Sequence, residues 1–336
     1  MAAAQDEQKK PSPLDNPLLR DAYQTSQKAD EMAEFDRIIE LCQQALDEQP
    51  DDKQVAYAKQ LKSWAHNRRG ESLAVEGDEP GALAEFEISI ELDPTRWKAV
   101  HNRAVSLAVQ GRYDEALDEF SHTIELNPKY GNAYFNRGEL LVKLGRVPDG
   151  ITDLDQAIRL APNDAAAYHS RGMAHAMQRA FRRAYEDFTR AIKLNPKNAD
   201  AYISRADMYG DVGDYGQAAR DYRAAIRIDP KSARAYLSAA WLMATCAEEK
   251  FRDADLAVQS ANRAKELGGG IEEYRLLDVL AAAYANAGQW DEAVETQTQT
   301  VEASPEGFRP QAEARLKLYE QQKPYRASVA TESRDT

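Results

Sequence analysis

The sequence predicts an all-α protein, an α-solenoid of about eight helix-turn-helix units, and three observations carry that prediction. Pro94, Pro128, Pro162, Pro196 and Pro230 follow one another at a constant interval of 34 residues, and a fixed period of this length marks stacked supersecondary units. Each proline closes a similar phrase, in turn ELDP, ELNP, RLAP, KLNP and RIDP. Such a phrase reads as the last turn of a helix, because the residue before a proline avoids the α region. Midway between the prolines Gly111, Gly145 and Gly213 keep one register, and Ala116, Gly150 and Ala218 follow them five residues later. A residue free to adopt positive φ between two apolar stretches divides each period into helix, turn and helix.

Within each period the small, aromatic and proline positions resemble those of the tetratricopeptide repeat. Counting each unit from 31 residues before its proline, Ala104, Gly138, Gly172 and Ala206 fall at the small eighth position and Tyr134, Tyr168, Tyr202 and Tyr236 at the fourth. Phe120, Leu154, Phe188 and Tyr222 take the apolar slot of the second helix, followed by Thr123, Ala157, Ala191 and Ala225. The resemblance implies a right-handed solenoid of tetratricopeptide repeats, of bacterial type, whose work is protein binding.

Taken in order, the chain is expected to open with a poorly ordered tail over residues 1–18, of which 1–15 are polar and lack an apolar period. The repeat array then runs over 19–305, and its first unit is marked by Ala45 and Pro50. From Pro50 to Pro94 the interval is 44 residues, and the extra segment DDKQVAYAKQ holds no glycine or proline. An extended helix near 51–76 is therefore expected. After the regular central units, TCAEEKFRDAD and the run Gly268 to Gly270 stretch the spacing, so a distorted unit is expected over 233–270. Register returns with Leu277, Leu280, Ala281, Tyr284, Gly288, Ala293 and Pro305. Residues 306–336 are expected to form a capping helix near 311–321, which covers the last apolar face as solenoids require, and then a flexible tail over 326–336. This C-terminal portion resembles a module that closes many bacterial tetratricopeptide proteins, a resemblance that implies no activity.

Two sets of side chains recur with the period. Arg69, Arg103, Arg137, Arg171 and Arg205 occupy the seventh position, and Glu85, Glu119, Asp153, Asp187 and Asp221 the twenty-third position of the same units. These positions lie eight residues to either side of the hairpin turn, so they face each other. Units seven and eight lose both partners together, with Ala239 and Leu280 for the arginine and Ser260 and Thr296 for the acid. An arginine that reads a ligand has no reason to vanish with the acid, so the set is expected to be a structural ion-pair ladder. The pattern leaves open whether each acid bonds its own unit or a neighbour.

The second set concerns binding. The resemblance implies a concave groove displaying positions 2, 5, 6, 9, 12 and 13 of each first helix. By position the candidate peptide-groove residues are Asn102, Phe135, Asn136, His169, Ser170, Met173, Met177, Asp200, Ser204, Asp207, Asp211, Arg234, Ser238 and Trp241. Asn102, Asn136, Ser170, Ser204 and Ser238 form a polar ladder that would suit an extended peptide backbone, or would merely keep a hydrated helix face soluble. Met173, Met177 and Trp241 would be an adaptable contact surface if exposed and inter-repeat core if buried. Asp200, Asp207 and Asp211 project from one face at successive turns, so the expected partner segment combines apolar anchors with a Lys or Arg. A carboxylate clamp of the kind found in chaperone-binding relatives is incomplete, because Asn67, Glu71 and Asn132 stand where it needs its other ligands.

Composition narrows the function classes. A formal net charge of -13 and a pI near 5.0 disfavour a phosphate backbone, so no nucleic acid is expected as partner. With 43% hydrophobic residues, a mean hydropathy of -0.68 and no unbroken apolar run, no membrane insertion is expected. The polar N-terminus and the two lone cysteines, Cys42 and Cys246, suit a cytoplasmic protein with inert thiols. His66, His101, His122, His169 and His175 include no i, i+4 pair with a third ligand, and YGDVGDYG lacks the Gly-Lys-Ser/Thr of a phosphate loop. Neither a cofactor nor an enzymatic activity is therefore expected. The two function classes are an adaptor or scaffold that binds a partner segment in the groove, and an assembly subunit that docks through convex or terminal faces or by self-association.

Overall fold

A computed structural model describes residues 12–328, and among these every regular element is helical, with 17 α-helices and two short 3-10 turns. The described chain divides into two compact units, one ending at Leu160 and one beginning at Ala161. Each is an all-α solenoid of antiparallel hairpins.

The N-terminal unit holds four hairpins: α1 (Pro17–Ser26) with α2 (Met32–Asp47), α3 (Asp52–Glu76) with α4 (Glu79–Leu92), α5 (Trp97–Val109) with α6 (Tyr113–Leu126), and α7 (Gly131–Lys143) with α8 (Val147–Leu160). Helix α3 reaches 25 residues because Asp51 and Gln54 close a capping box ahead of it and nothing interrupts it before Gly77, whose φ of 86° ends it. The C-terminal unit holds α9 (Ala165–Met177) with α10 (Phe181–Leu194), α11 (Ala199–Asp211) with α12 (Tyr215–Ile228), α13 (Ala233–Thr245) with α14 (Ala254–Leu267), and α15 (Glu273–Asn286) with α16 (Trp290–Ala303). Helix α17 (Arg309–Glu320) follows and packs on α16.

One large side chain on each of α4, α6, α8 and α10 packs against the first helix of its own hairpin: Phe86, Phe120, Leu154 and Phe188 are all essentially inaccessible. Small residues at the eighth position make room for them. A Cβ added at Gly172 would lie 2.7 Å from the Phe188 ring. The hairpin turns need positive φ, which Gly111, Gly145 and Gly213 supply at 79°, 80° and 83°, and Arg179 takes the same corner at 58° without the glycine that the register led one to expect.

Two expectations at the chain ends need correction. The segments 1–11 and 329–336, expected to be disordered, lie outside the described residues. Residues 12–18, however, are ordered: the Asp15 carboxylate accepts the Ser12 N–H at 2.8 Å, and Asn16 Oδ1 accepts the N–H groups of Leu18 and Leu19. These caps satisfy the orphan donors that begin α1 and bring Leu19 into the core. Residues 326–328 are likewise not a free tail. After α17 the chain turns at Gln322, where φ is 54°, and runs back onto α13, where the Ala327 N–H donates to the Thr245 carbonyl at 2.9 Å.

Candidate protein-interaction face

The arginines and acids of the ladder meet within their own hairpins. In the N-terminal unit Arg137 grips Asp153 in a bidentate pair at 2.6 and 2.8 Å, Arg103 bonds Glu119, and Glu85 is shared between Arg69 at 3.2 Å and His66 at 2.8 Å. In the C-terminal unit Arg171 and Asp187 pair at 2.6 and 2.8 Å, and Arg205 and Asp221 at 2.7 and 3.0 Å. The Asp153 hydrogen bonds, outweighing partial burial, raise the Arg137 pKa further. The spare donors reach one hairpin back: Arg137 to Ser121 Oγ, Arg205 to Thr189 Oγ1 and Arg69 to Asp36. Each of these three guanidinium groups therefore ties two repeats together, as a planar fork with five donors can.

The polar ladder is also engaged, in this case between neighbouring first helices. Asn102 on α5 donates to Asn67 at 3.0 Å and to Glu71 at 2.9 Å, both on α3. Asn136 Nδ2 on α7 lies 3.3 Å from His101 Nε2 on α5. Burial against Phe120 and Tyr130 pushes the His101 pKa down to about 4, and the ring is neutral core and not a displayed group. Phe135 beside it is half-buried. In the C-terminal unit His169 Nε2 and Ser204 Oγ lie 3.0 Å apart, with Ser204 buried. Ser170 also has a partner. Asn102, Asn136 and Ser204 thus have partners on the neighbouring first helix.

Arginine 234 alters the reading of the acidic face in the same way. From α13 it reaches Asp200 at 3.4 Å, Asp207 at 3.3 Å and Ser204 at 3.4 Å on α11, so the chain supplies its own cation to two of the three aspartates. The Tyr222 hydroxyl donates to Asp207 at 2.6 Å. Desolvation still raises the Asp207 carboxyl above its usual range against the pull of Arg234, Tyr222 and Ser238. Desolvation and then the charge of Asp207 raise Asp211 too, and the Asp211 side chain is exposed. Arg234 thus bonds two of the three carboxylates, and the charge of Arg179 acts on Asp211. Met173 and Met177 are exposed on α9 at 37% and 58%, which places them at the surface and not in the inter-repeat core.

Beside Asp207 lies a cavity of about 230 Å³ lined by Leu237, Trp241, Val279 and Phe308, with Tyr222, Ser238, Arg275, Asp278 and Arg315 as its polar groups. Sequence reasoning missed most of this. Arg315 of α17 bonds Asp278 at 2.7 Å, and its guanidinium lies 5.0 Å from the Trp241 ring, 5.5 Å from Phe308 and 4.8 Å from Tyr325. Gln297 also donates to Asp278 at 3.1 Å. Unit eight lacks the ladder pair, and this buried pair joins it to the cap instead. The available signal was Asp278 itself, an acid inside the apolar stretch YRLLDVLAAAY. None of the described helices is long and apolar enough to cross a membrane.

Comparison with known proteins agrees with the geometry. Tetratricopeptide repeat family models match residues 101–165, 135–199 and 188–220. No curated protein sequence matches the chain. Among solved structures, pilF of Pseudomonas aeruginosa is 19% identical and covers 70% of this chain and 97% of its own, with a TM-score of 0.55. A tetratricopeptide repeat protein from Parabacteroides merdae is 17% identical, covering 80% and 97% with a TM-score of 0.53, and yeast Tom70 is 18% identical, covering 96% and 66% with a TM-score of 0.51. At these identities the likeness speaks for the fold alone. The 34-residue register and the hairpin geometry agree with the family models, so residues 101–220 carry tetratricopeptide repeats, and the described chain shares the helical-repeat fold of these solved structures.

Proposed function

We propose that this chain is a non-enzymatic protein-protein interaction module, an adaptor or scaffold, and that it holds a partner segment against the first-helix face of its C-terminal unit. The observation that carries this reading is the cavity of about 230 Å³ beside Asp207, where the apolar surfaces of Leu237, Trp241, Val279 and Phe308 meet a few converging polar groups. An apolar hollow with a small number of fixed polar groups is the usual form of a recognition site. Exposed Met173 and Met177 add adaptable apolar surface on α9 of the same unit. The partner chemistry that suits this face is a segment with apolar anchors and a basic residue, because Asp200, Asp207 and Asp211 bring three carboxylates to it against the guanidinium groups of Arg234 and Arg179.

A peptide display library selected on the intact protein tests the assignment. Segments that bind are expected to lose about tenfold or more in affinity on Leu237→Glu, which places a charge in the hollow. They should be unaffected by Tyr185→Glu, an exposed position on α10. Circular dichroism of both variants establishes equal folding first. Equal affinity for wild type and Leu237→Glu rejects the face.

A further inference from the structure

The end of α13 differs from the other first-helix ends of its unit. At α11 the hairpin turn itself takes up the last carbonyls: Val212 N–H bonds Met208 O, Gly213 N–H bonds Gly210 O and Asp214 N–H bonds Tyr209 O. At α13 the turn is replaced by a longer loop with a 3-10 turn at Glu249–Phe251, and α14 starts only at Ala254. Cys246 N–H still reaches Leu242 O, and Asp253 N–H reaches Met243 O. The loop offers nothing to the carbonyls of Ala244 and Thr245. A helix C-terminus with open carbonyls attracts backbone donors and cations, since the helix dipole is negative there.

Residues 323–328 fill this gap. Gln322 in the left-handed region and Pro324 end α17 and send the chain out extended. Arg326 donates to Ala244 O at 2.9 Å and to Asn286 Oδ1 at 3.0 Å, and the Ala327 N–H donates to Thr245 O at 2.9 Å. The Tyr325 ring lies 5.8 Å from Trp241 and 4.8 Å from the Arg315 guanidinium. Ala327 and Ser328 then border a second hollow, of about 220 Å³, with Asp207, Asp211, Trp241 and Cys246. The occupant thus packs its ring on Trp241 and borders one hollow with Asp207 and Asp211, side chains that the repeat register assigns to peptide binding.

We propose that the open C-terminal end of α13, together with Trp241 and Asn286, is a docking site for an extended segment carrying an aromatic residue followed by arginine. The chain's own Tyr325-Arg326-Ala327 holds this site in cis, and a partner segment of like chemistry binds by displacing it. The docking deepens the groove function proposed above and rests on it. Each feature of the occupant has its counterpart: a ring for Trp241 and Arg315, a guanidinium for Ala244 O and Asn286, a main-chain N–H for Thr245 O. Arg326 makes these bonds without a carboxylate among its hydrogen-bond acceptors, so no ion pair fixes the segment there. The distorted seventh repeat is then the element that creates the site.

The test uses the full-length chain, wild type and the double variant Tyr325→Ala with Arg326→Ala, and as probe a fluorescein-labelled, end-blocked peptide of residues 321–328, QQKPYRAS. Fluorescence anisotropy should show the peptide binding the double variant at least about tenfold more tightly than wild type, because the cis segment competes at high effective concentration. A fluorescent maleimide gives an independent reading at Cys246, which is 1% exposed beneath this segment. Its labelling should quicken about tenfold or more in the double variant and slow again when unlabelled peptide is added. If the double variant folds poorly by circular dichroism, Ala327→Pro, which removes the N–H donor to Thr245 O and restricts the backbone of Arg326, is expected to shift both readings the same way. Equal peptide affinity in wild type and variants, or no binding to any of them, overturns the proposal. Library-selected segments that still depend on Leu237 would in that case leave the groove reading standing, so the two failures are distinguishable.

Discussion

Arginine at the seventh position of a repeat does two jobs with one planar group. In Arg137 the Nε and one Nη hold both oxygens of Asp153, and the other Nη reaches Ser121 of the preceding hairpin. Lysine has no fork with which to do both. The Asp153 side chain is only 9% exposed, so removing Arg137 leaves a nearly buried carboxylate without its partner. Arg137→Ala should therefore cost about 3 kcal/mol in urea unfolding, and Asp153→Ala a similar amount. The double variant should lose clearly less than the sum, with a coupling of about 1 kcal/mol or more. Strict additivity would mean that the two groups do not act as a pair. This pairing was legible because positions seven and twenty-three are fixed by the period and vanish together. The fate of Asn102 and Ser204 was not legible, since a sixth-position side chain meets solvent or the next helix according to how closely successive first helices approach, and the period does not encode that.

Elements were legible where local chemistry sets them. Proline and glycine mark the ends of the regular hairpins, and the uninterrupted stretch after Pro50 becomes the 25 residues of α3. What escaped the sequence was any feature whose partner lies far along the chain, such as the Ala244 carbonyl and Arg326, 82 residues apart. The small positions show a finer limit. The register asks for a small residue at the eighth and twentieth positions, yet does not say where alanine would be too large. Repeat four has glycine at both. A Cβ at Gly150 would stand 2.7 Å from the Gly138 carbonyl oxygen and 2.6 Å from Val142 Cγ2. The carbonyl belongs to α7 backbone and cannot rotate away, so Gly150→Ala must push α7 and α8 apart. The expected loss is about 2 kcal/mol, as for other overpacked interiors, read as a lowered urea midpoint with an unchanged slope. An unchanged midpoint would mean that the hairpin absorbs the methyl group by sliding.

At the scale of the whole molecule the net charge of -13 sets the field in which any partner arrives. A basic segment is drawn towards such a chain from a distance, and local carboxylates decide where it settles. Asp211 is the side chain best placed to show this. Asp200 and Asp207 are bonded to Arg234, whereas Asp211 is exposed, and desolvation and the charge of Asp207 raise its pKa. Segments selected on the C-terminal unit should carry Lys or Arg and bind more weakly as salt rises. Asp211→Asn keeps shape and removes charge, so it should lower their affinity about three- to tenfold and flatten the salt dependence. The sign of the pH effect follows from the direction of the shift. Protonation removes the charge that attracts the segment, and a raised pKa means that this occurs at a higher pH than for an ordinary aspartate. Binding should therefore fall on acidification while most other carboxylates remain ionised, and Asp211→Asn should lose the part of that early fall that Asp211 adds to that of Asp207. Isothermal titration across pH and salt measures all three effects on one pair of proteins. If wild type and Asp211→Asn share one affinity, one salt slope and one pH profile, the partner does not place a basic side chain at this carboxylate.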